Sequence, residues 1–288
     1  MSARPIARII PGMNTSDGAG VRLRRTLGQS QLARLDPFLM LDEFSSDNAD
    51  DYIAGFPSHP HRGFETVTYM LDGHMLHEDH MGNRGDLRPG DVQWMTAGRG
   101  IIHSEMPQQK EGRMRGFQLW LNLPAKDKMK PAAYRDVPAA TMPWHEPLAG
   151  VRLKMIAGEL TLAGQHYEGP IRAAGTEPLY VDIELAAGQS LDIPVPASHN
   201  AFLYVFEGQV QCDGREVPTH AAALLGSGDQ VSVVAGAEGG RLLLLAGKPL
   251  NEPVVQYGPF VMNSVEEIEQ ALRDYRDGTL TSAGVQAL

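Results

Sequence analysis

The stretch FPSHPHRGFETVTYMLDG, residues 56–73, decides the fold. It starts at Phe56, passes two histidines at His59 and His61, and runs through Phe64, Val67, Tyr69 and Met70 to Asp72-Gly73. A short run rich in β-branched and aromatic residues, closed by an acidic residue and glycine, reads as a strand and a turn. Pro60 turns His59 away from helix and toward extended geometry. On an extended chain residues i and i+2 face the same side, about 7 Å apart at Cα. Both imidazoles therefore reach one point.

Outward from this stretch the same signature recurs. PFLMLDEF, DVQWMTA and GFQLWLNL lie in the first half; LYVDIEL, NAFLYVFEG, VQC, QVSVV and RLLLLAG lie in the second. All are short, apolar and bounded by Gly, Pro, Asp or Asn, which predicts an all-β protein of sandwich or barrel type. One helix is expected, over residues 264–277. Ser264 and Glu267 form a capping box, Ile268, Leu272 and Tyr275 line one face, and Gly278 stops it.

The chain of 288 residues is long enough for two domains of ordinary size. Residues 124–147 are polar and punctuated by proline, and read as the linker between a domain at 1–135 and one at 136–288. The halves carry a weak repeat. Placing Gly73 on Gly208 superposes FETVTYMLDG on HNAFLYVFEG, and placing Gly90-Asp91 on Gly228-Asp229 superposes a second turn. Two barrels of one type in tandem is the simplest reading.

A net charge of −10 repels phosphate backbones and argues against direct nucleic-acid binding; Arg22, Arg24 and Arg25 read as a solvated strand face. Cys212 is the only cysteine, so no internal disulfide and no thiolate cluster can form, and a cytoplasmic location fits. No apolar run suits a signal peptide or a membrane span. A monomer is expected.

The chemistry concentrates at two pairs. His59 and His61 form the first. Some forty residues on, GRGIIHSE brings His103 and Glu105, again i and i+2 on a strand-like run. Two strands of one barrel, each with two inward groups, make a four-ligand site of three imidazoles and a carboxylate. That set suits Fe, Mn, Zn, Ni or Cu and leaves positions open; without thiolate it does not read as structural zinc. Glu65 lies about 13 Å from His61 along a regular strand, so it is assigned a supporting role behind Glu105. Phe56, Trp94, Met95 and Trp120 are expected to pack the barrel, with Phe56 and Trp94 as candidate pocket residues. His74, His77 and His80 read as the exposed end of a hairpin. His145, His166, His199 and His220 read as structural or exposed.

The segments FPSHPHRGFETVTYMLDG and GDLRPGDVQWMTAGRGIIHSEMP, flanked by LDEF and GFQLWLNLP, resemble the pirin family of the cupin superfamily over about residues 36–124. The second half resembles the weaker C-terminal domain of that family. The resemblance implies a bicupin of two jelly-roll barrels with a short C-terminal helix. It implies one Fe(2+) held by His59, His61, His103 and Glu105 in the first barrel, and none in the second. The repeat agrees on the last point: at the two offsets His59 and His61 fall on Pro194 and Pro196, and His103 and Glu105 on Arg241 and Leu243.

Family activities divide. Some members resemble quercetin 2,3-dioxygenases, which open a flavonol ring with O2; others are iron-bearing co-regulators or modulators of metabolic enzymes that act through protein partners. The first reading assigns a small aromatic substrate and O2 to the open positions, and makes Glu105 the catalytic acceptor of the flavonol hydroxyl proton. The second makes the metal site the control point for a surface read by a protein partner.

Overall fold

The computed structural model describes residues 2–173 and 175–282. The chain opens with β1 (Ile6–Pro11), β2 (Met13–Asp17), β3 (Val21–Arg25) and β4 (Phe38–Ser46). The segment that decides the fold then gives β5 (Phe56–His61), β6 (Phe64–Asp72), β7 (Met75–Asp79), β8 (Arg84–Leu87), β9 (Val92–Thr96), β10 (Ile101–Pro107) and β11 (Met114–Asn122). The proline-punctuated region holds β12 (Ala133–Val137) and β13 (Trp144–Leu148). The second half contributes β14 (Val151–Ala157), β15 (Glu159–Leu162), β16 (Gln165–Glu168), β17 (Leu179–Leu185) and β18 (Ser190–Pro194). It continues with β19 (Asn200–Cys212), β20 (Arg215–Val217), β21 (Ala221–Leu225), β22 (Gln230–Gly247), β23 (Val255–Tyr257) and β24 (Phe260–Met262), and ends in helix α1 (Val265–Arg276). The fold is all-β, a bicupin of two jelly-roll barrels with one C-terminal helix; the patterning predicts the all-β class and the helix, and the family resemblance implies the bicupin. No helix among the described residues is long and apolar enough to cross a membrane.

The chain divides into two compact units, and they are not contiguous halves. One unit comprises Met1–Thr15, Arg24–Asp42 and Val137–Leu250; the other comprises Ser16–Leu23, Glu43–Asp136 and Asn251–Leu288. This departs from the expected division at residues 135 and 136 in its terminal parts. β1 finds its ladder partner in β21, which puts the N-terminus with the second-half strands. The C-terminal end goes the other way: Phe260, Met262, Ile268, Ala271 and Leu280 form one apolar cluster with Ile102 against it. The expected linker is not a free connector either. β12 joins the sheet of β9, β6 and β11, whereas β13 pairs with β14, so its prolines separate short strands.

The capping box of α1 is formed: Ser264 accepts from the Glu267 backbone N–H, and the Glu267 carboxylate accepts from the Ser264 N–H. The buried residues of the helix are Ile268 and Ala271. Leu272 and Tyr275 stay 39% and 44% exposed, so the apolar face is narrower than its sequence spacing predicts.

The two barrels repeat one ladder. In the unit carrying residues 43–136, β5, β10, β7 and β8 form one sheet in that order, and β6 lies between β9 and β11 in the other. In the second unit β18 pairs with the start of β22, which pairs with the end of β19, which pairs with β20. The start of β19 lies between β21 and the end of β22. The long strands β19 and β22 thus do the work of β6 with β7 and of β10 with β11.

This ladder fixes residue equivalence and corrects the register expected from the repeat. His103 faces His59 across β10 and β5, as Val231 faces Ile193 across β22 and β18. Glu105 faces His77 as Val233 faces Cys212. The positions matching His59, His61, His103 and Glu105 are therefore Ile193, Val195, Val231 and Val233, not Pro194, Pro196, Arg241 and Leu243. All four are buried members of one hydrocarbon core that also contains Leu203, Val205, Cys212, Leu242 and Leu244. None offers a donor atom.

Candidate metal centre

β5 carries two prolines, Pro57 and Pro60, inside a strand. It can, because β5 is the edge of its four-stranded sheet and bonds only β10, so the missing N–H groups break no second ladder. The turn into β6 is made by Gly63 at φ +91°, where a Cβ would overlap the carbonyl oxygen of Val261. That turn is clamped by Lys128, whose Nζ donates to the Gly63 carbonyl at 2.7 Å, to Asn122 Oδ1 at 2.6 Å and to the Val261 carbonyl at 3.0 Å. Burial pushes the Lys128 ammonium down to about 8, with Glu252 and Glu267 acting the other way.

Fixed in this way, β5 presents His59 and His61 to the face on which β10 presents His103. The three rings lie with centroids 4.3 Å apart for His59 and His103, 4.7 Å for His59 and His61, and 5.0 Å for His61 and His103. One ligand nitrogen from each ring falls within 4.8 Å of the others, the separation that a shared metal ion requires. His59 Nδ1 is engaged with the Pro57 carbonyl at 2.8 Å. His61 Nδ1 and His103 Nε2 are buried with no hydrogen-bond partner among the described residues. A buried nitrogen left without a partner is costly, and a metal ion would satisfy it. Burial holds His61 and His103 well below the ordinary imidazole range and His59 below it, which keeps all three in the neutral form that binds metal. The residues fit the metal that the ligand set predicts.

Glu105 lies on the same face of β10 as His103, because the ladder to β7 is regular from His103 through Glu105. Its carboxylate oxygens are not among the ligand atoms gathered within 4.8 Å, which come from the three histidines alone. It takes a hydrogen bond from the Thr68 hydroxyl at 2.9 Å and one from Gln118 Nε2 at 3.5 Å. Burial raises it to about 7, against the lowering effect of Thr68.

Pocket residues divide by strand parity. Phe64 and Trp120 pack on His61, with centroids at 5.1 and 5.3 Å, so Phe64, Thr66 and Thr68 of β6 face the imidazoles. Glu65 therefore points to the other side of the sheet. There it accepts from Trp94 Nε1 at 3.1 Å and Thr96 Oγ1 at 2.7 Å, with Lys130 at 3.5 Å. Glu65 and Trp94 thus pair with each other on that side of the sheet, Glu65 in a supporting role. Phe56 is half-buried and packs against the cluster of Val21, Leu23, Phe44, Tyr52 and Met70. Trp120 forms the aromatic wall instead.

His77 corrects the reading of residues 74–80 as an exposed hairpin end. It is fully buried, with Nδ1 3.2 Å from His103 Nδ1. The signal available was alternation: Met75, His77 and Asp79 share a face of β7, but the polar residues around them read as a turn. His199, another of the isolated histidines, is buried beside Glu177 at 3.6 Å.

Residues 20–121 match the Pirin family and residues 180–281 match the Pirin C-terminal cupin domain. The chain belongs to the pirin family. A Pseudomonas aeruginosa protein of that similarity group, named "putative quercetin 2,3-dioxygenase", is 56% identical over 280 residues, covering 96% of this chain and 98% of that protein. Human pirin is 40% identical over 283 residues, covering 96% and 93%. The crystal structure of a quercetin 2,3-dioxygenase from Acinetobacter baumannii matches with a TM-score of 0.88 at 33% identity, covering 97% of this chain and 99% of that one. Within this pirin, the three histidines positioned for metal binding all lie in the part matched by the first domain.

Proposed function

We propose that this pirin is a metal-dependent dioxygenase of quercetinase type, opening the ring of a flavonol or similar aromatic with O2. The observation that carries the reading is the convergence of three neutral imidazoles, His59 half-buried and His61 and His103 buried with an unpartnered nitrogen each, beside a buried carboxyl group on the same face. His59, His61 and His103 hold one divalent transition metal, for which Fe(2+) is the first choice, and Glu105 is its fourth ligand. When bound, the metal supplies Lewis-acid and template chemistry for O2 and an oxygen-bearing substrate.

The chain's own residues do the rest. Trp120, half-buried and backed by the buried Phe64, gives an aromatic wall for a planar substrate. Glu105, which burial raises to about 7 without a metal ion beside it, would accept a hydroxyl proton when its carboxylate leaves the metal. Thr68 and Gln118 keep the carboxyl group aimed along the inner face.

The relatives carrying quercetin 2,3-dioxygenase names support this activity. Oxygen-electrode measurements on Fe(2+)-loaded protein with quercetin test it. Quercetin-dependent O2 uptake is expected, with a fall of about 100-fold or more in kcat for Glu105→Gln. Loaded protein that consumes no O2 while a control quercetinase does would remove this substrate and favour a metal-bearing binding protein.

A further inference from the structure

A fourth histidine reaches the metal group through one of its ligands. His77 stands opposite Glu105 in the ladder of β7 and β10, and its Nδ1 lies 3.2 Å from Nδ1 of His103. Two imidazole nitrogens at that distance share one proton, so one donates and the other accepts. The unpartnered nitrogen of His103 is Nε2. For Nε2 to offer its lone pair, the proton of His103 must sit on Nδ1, and His77 Nδ1 must accept it. The proton of His77 then sits on Nε2, which faces Asp79 Oδ2 at 3.5 Å.

Both neighbours of His77 are themselves fixed. The Asp79 side chain is buried, and its carboxylate accepts from the backbone N–H groups of Met81 and Asn83 and, at 2.8 Å, from Asn83 Nδ2. On the other side Tyr134 stacks on the His77 ring with centroids 4.5 Å apart and planes at 21°. The Tyr134 hydroxyl donates to Asp136 Oδ1. It fits there because residue 85, paired with His77 across β7 and β8, is glycine; a Cβ at that position would overlap the hydroxyl oxygen. In the second barrel the position of His77 is held by Cys212, inside hydrocarbon.

We propose that His77 is a positioning residue for the metal centre: it selects the Nδ1–H tautomer of His103 and fixes the ring so that Nε2 is presented to the ion. Tyr134 holds the His77 ring by stacking, and the Asp79 carboxylate faces its Nε2, which makes no hydrogen bond among the described residues. This rests on the reading of His59, His61 and His103 as metal ligands. A partner that orients a ligating histidine through its second nitrogen commonly changes metal affinity by about 10- to 100-fold when lost.

Two measurements on the full chain test it. In the metal-free wild type, long-range 1H–15N spectra of labelled histidines report tautomers directly. His103 is expected as Nδ1–H and His77 as Nε2–H; His103 found as Nε2–H overturns the proposal. The second titrates Co(II) against a competing chelator and records its visible spectrum in wild type, His103→Ala, His77→Phe and His77→Gln. The Phe variant keeps a flat ring under Tyr134 and removes the acceptor, whereas Gln restores a carbonyl acceptor. The expected result is abolition of the site in His103→Ala, an affinity loss of about 10- to 100-fold with an altered spectrum in His77→Phe, and recovery of most of that loss in His77→Gln. A His77→Phe protein with wild-type affinity and spectrum overturns the role of His77 while leaving the ligands standing. A wild type that takes up no Co(II) overturns the ligand reading and this one with it.

Discussion

The two barrels share a strand ladder and differ in what points inward. In the barrel built on residues 43–136 the inner face carries His59, His61, His77, His103 and Glu105. In the other, the same ladder positions carry Ile193, Val195, Cys212, Val231 and Val233, all within one apolar core. The backbone pattern that closes a jelly roll is therefore indifferent to these positions. Chemistry enters where the hydrocarbon is replaced by donors that burial keeps neutral. A metal ion would offset the cost of burying them in one barrel, and in the other that cost does not arise.

The comparison can be broken first at the ligands. His61→Ala or His103→Ala is expected to weaken metal binding by more than about 100-fold, beyond the loss typical of an outer partner, as read by chelator competition. Val231→Ala, at the position matching His103, leaves metal affinity unchanged. Next, Leu244→Ala opens the hydrocarbon core of the second barrel, where Leu244 is fully buried. A loss of about 2–5 kcal/mol is expected in denaturant melts, with metal content unaltered. Gly63→Ala forces a side chain into the left-handed turn ahead of β6 and against the Val261 carbonyl. It should cost about 1–3 kcal/mol and lower metal affinity, because the turn carries His61 into the site.

The effect most confined in pH, and absent below pH 9, concerns the thiol that stands where the first barrel has His77. Burial pushes Cys212 up to about 12 from an ordinary value of 9. Below pH 9 the thiol keeps its proton folded or unfolded. Between pH 9 and about 12 only the unfolded thiol ionises, so the unfolded state binds fewer protons and stability falls as pH rises. Wild type should lose stability relative to Cys212→Val by at most about 1.4 kcal/mol per pH unit in that window, measured by paired melts.

Much of this was legible in the sequence because it depends on local patterning. Short apolar runs and turn glycines predict the barrels, and the i, i+2 spacing of His59 with His61 brings two rings to one face. What was not legible depends on register. His59 matches Ile193, 134 positions on, whereas the sequence repeat placed it 135 on. A slip of one residue moves a strand's side chains to the opposite face. Gly90-Asp91 and Gly228-Asp229 look alike but lead into strands of different place, β9 and β22. His77 had no partner in sequence spacing, since the residues that define its role, His103 and Tyr134, come from other strands. The terminal exchanges between units follow from ladder partners such as β21 for β1, which no local pattern announces.

The central claim is one metal per chain, held by three imidazoles of the first barrel. Elemental analysis of loaded and desalted protein, combined with X-ray absorption at the metal edge, tests it most directly. One equivalent of metal with three imidazoles in its first coordination sphere is the predicted result. More than one equivalent, or a single ion with one imidazole or none, would contradict it.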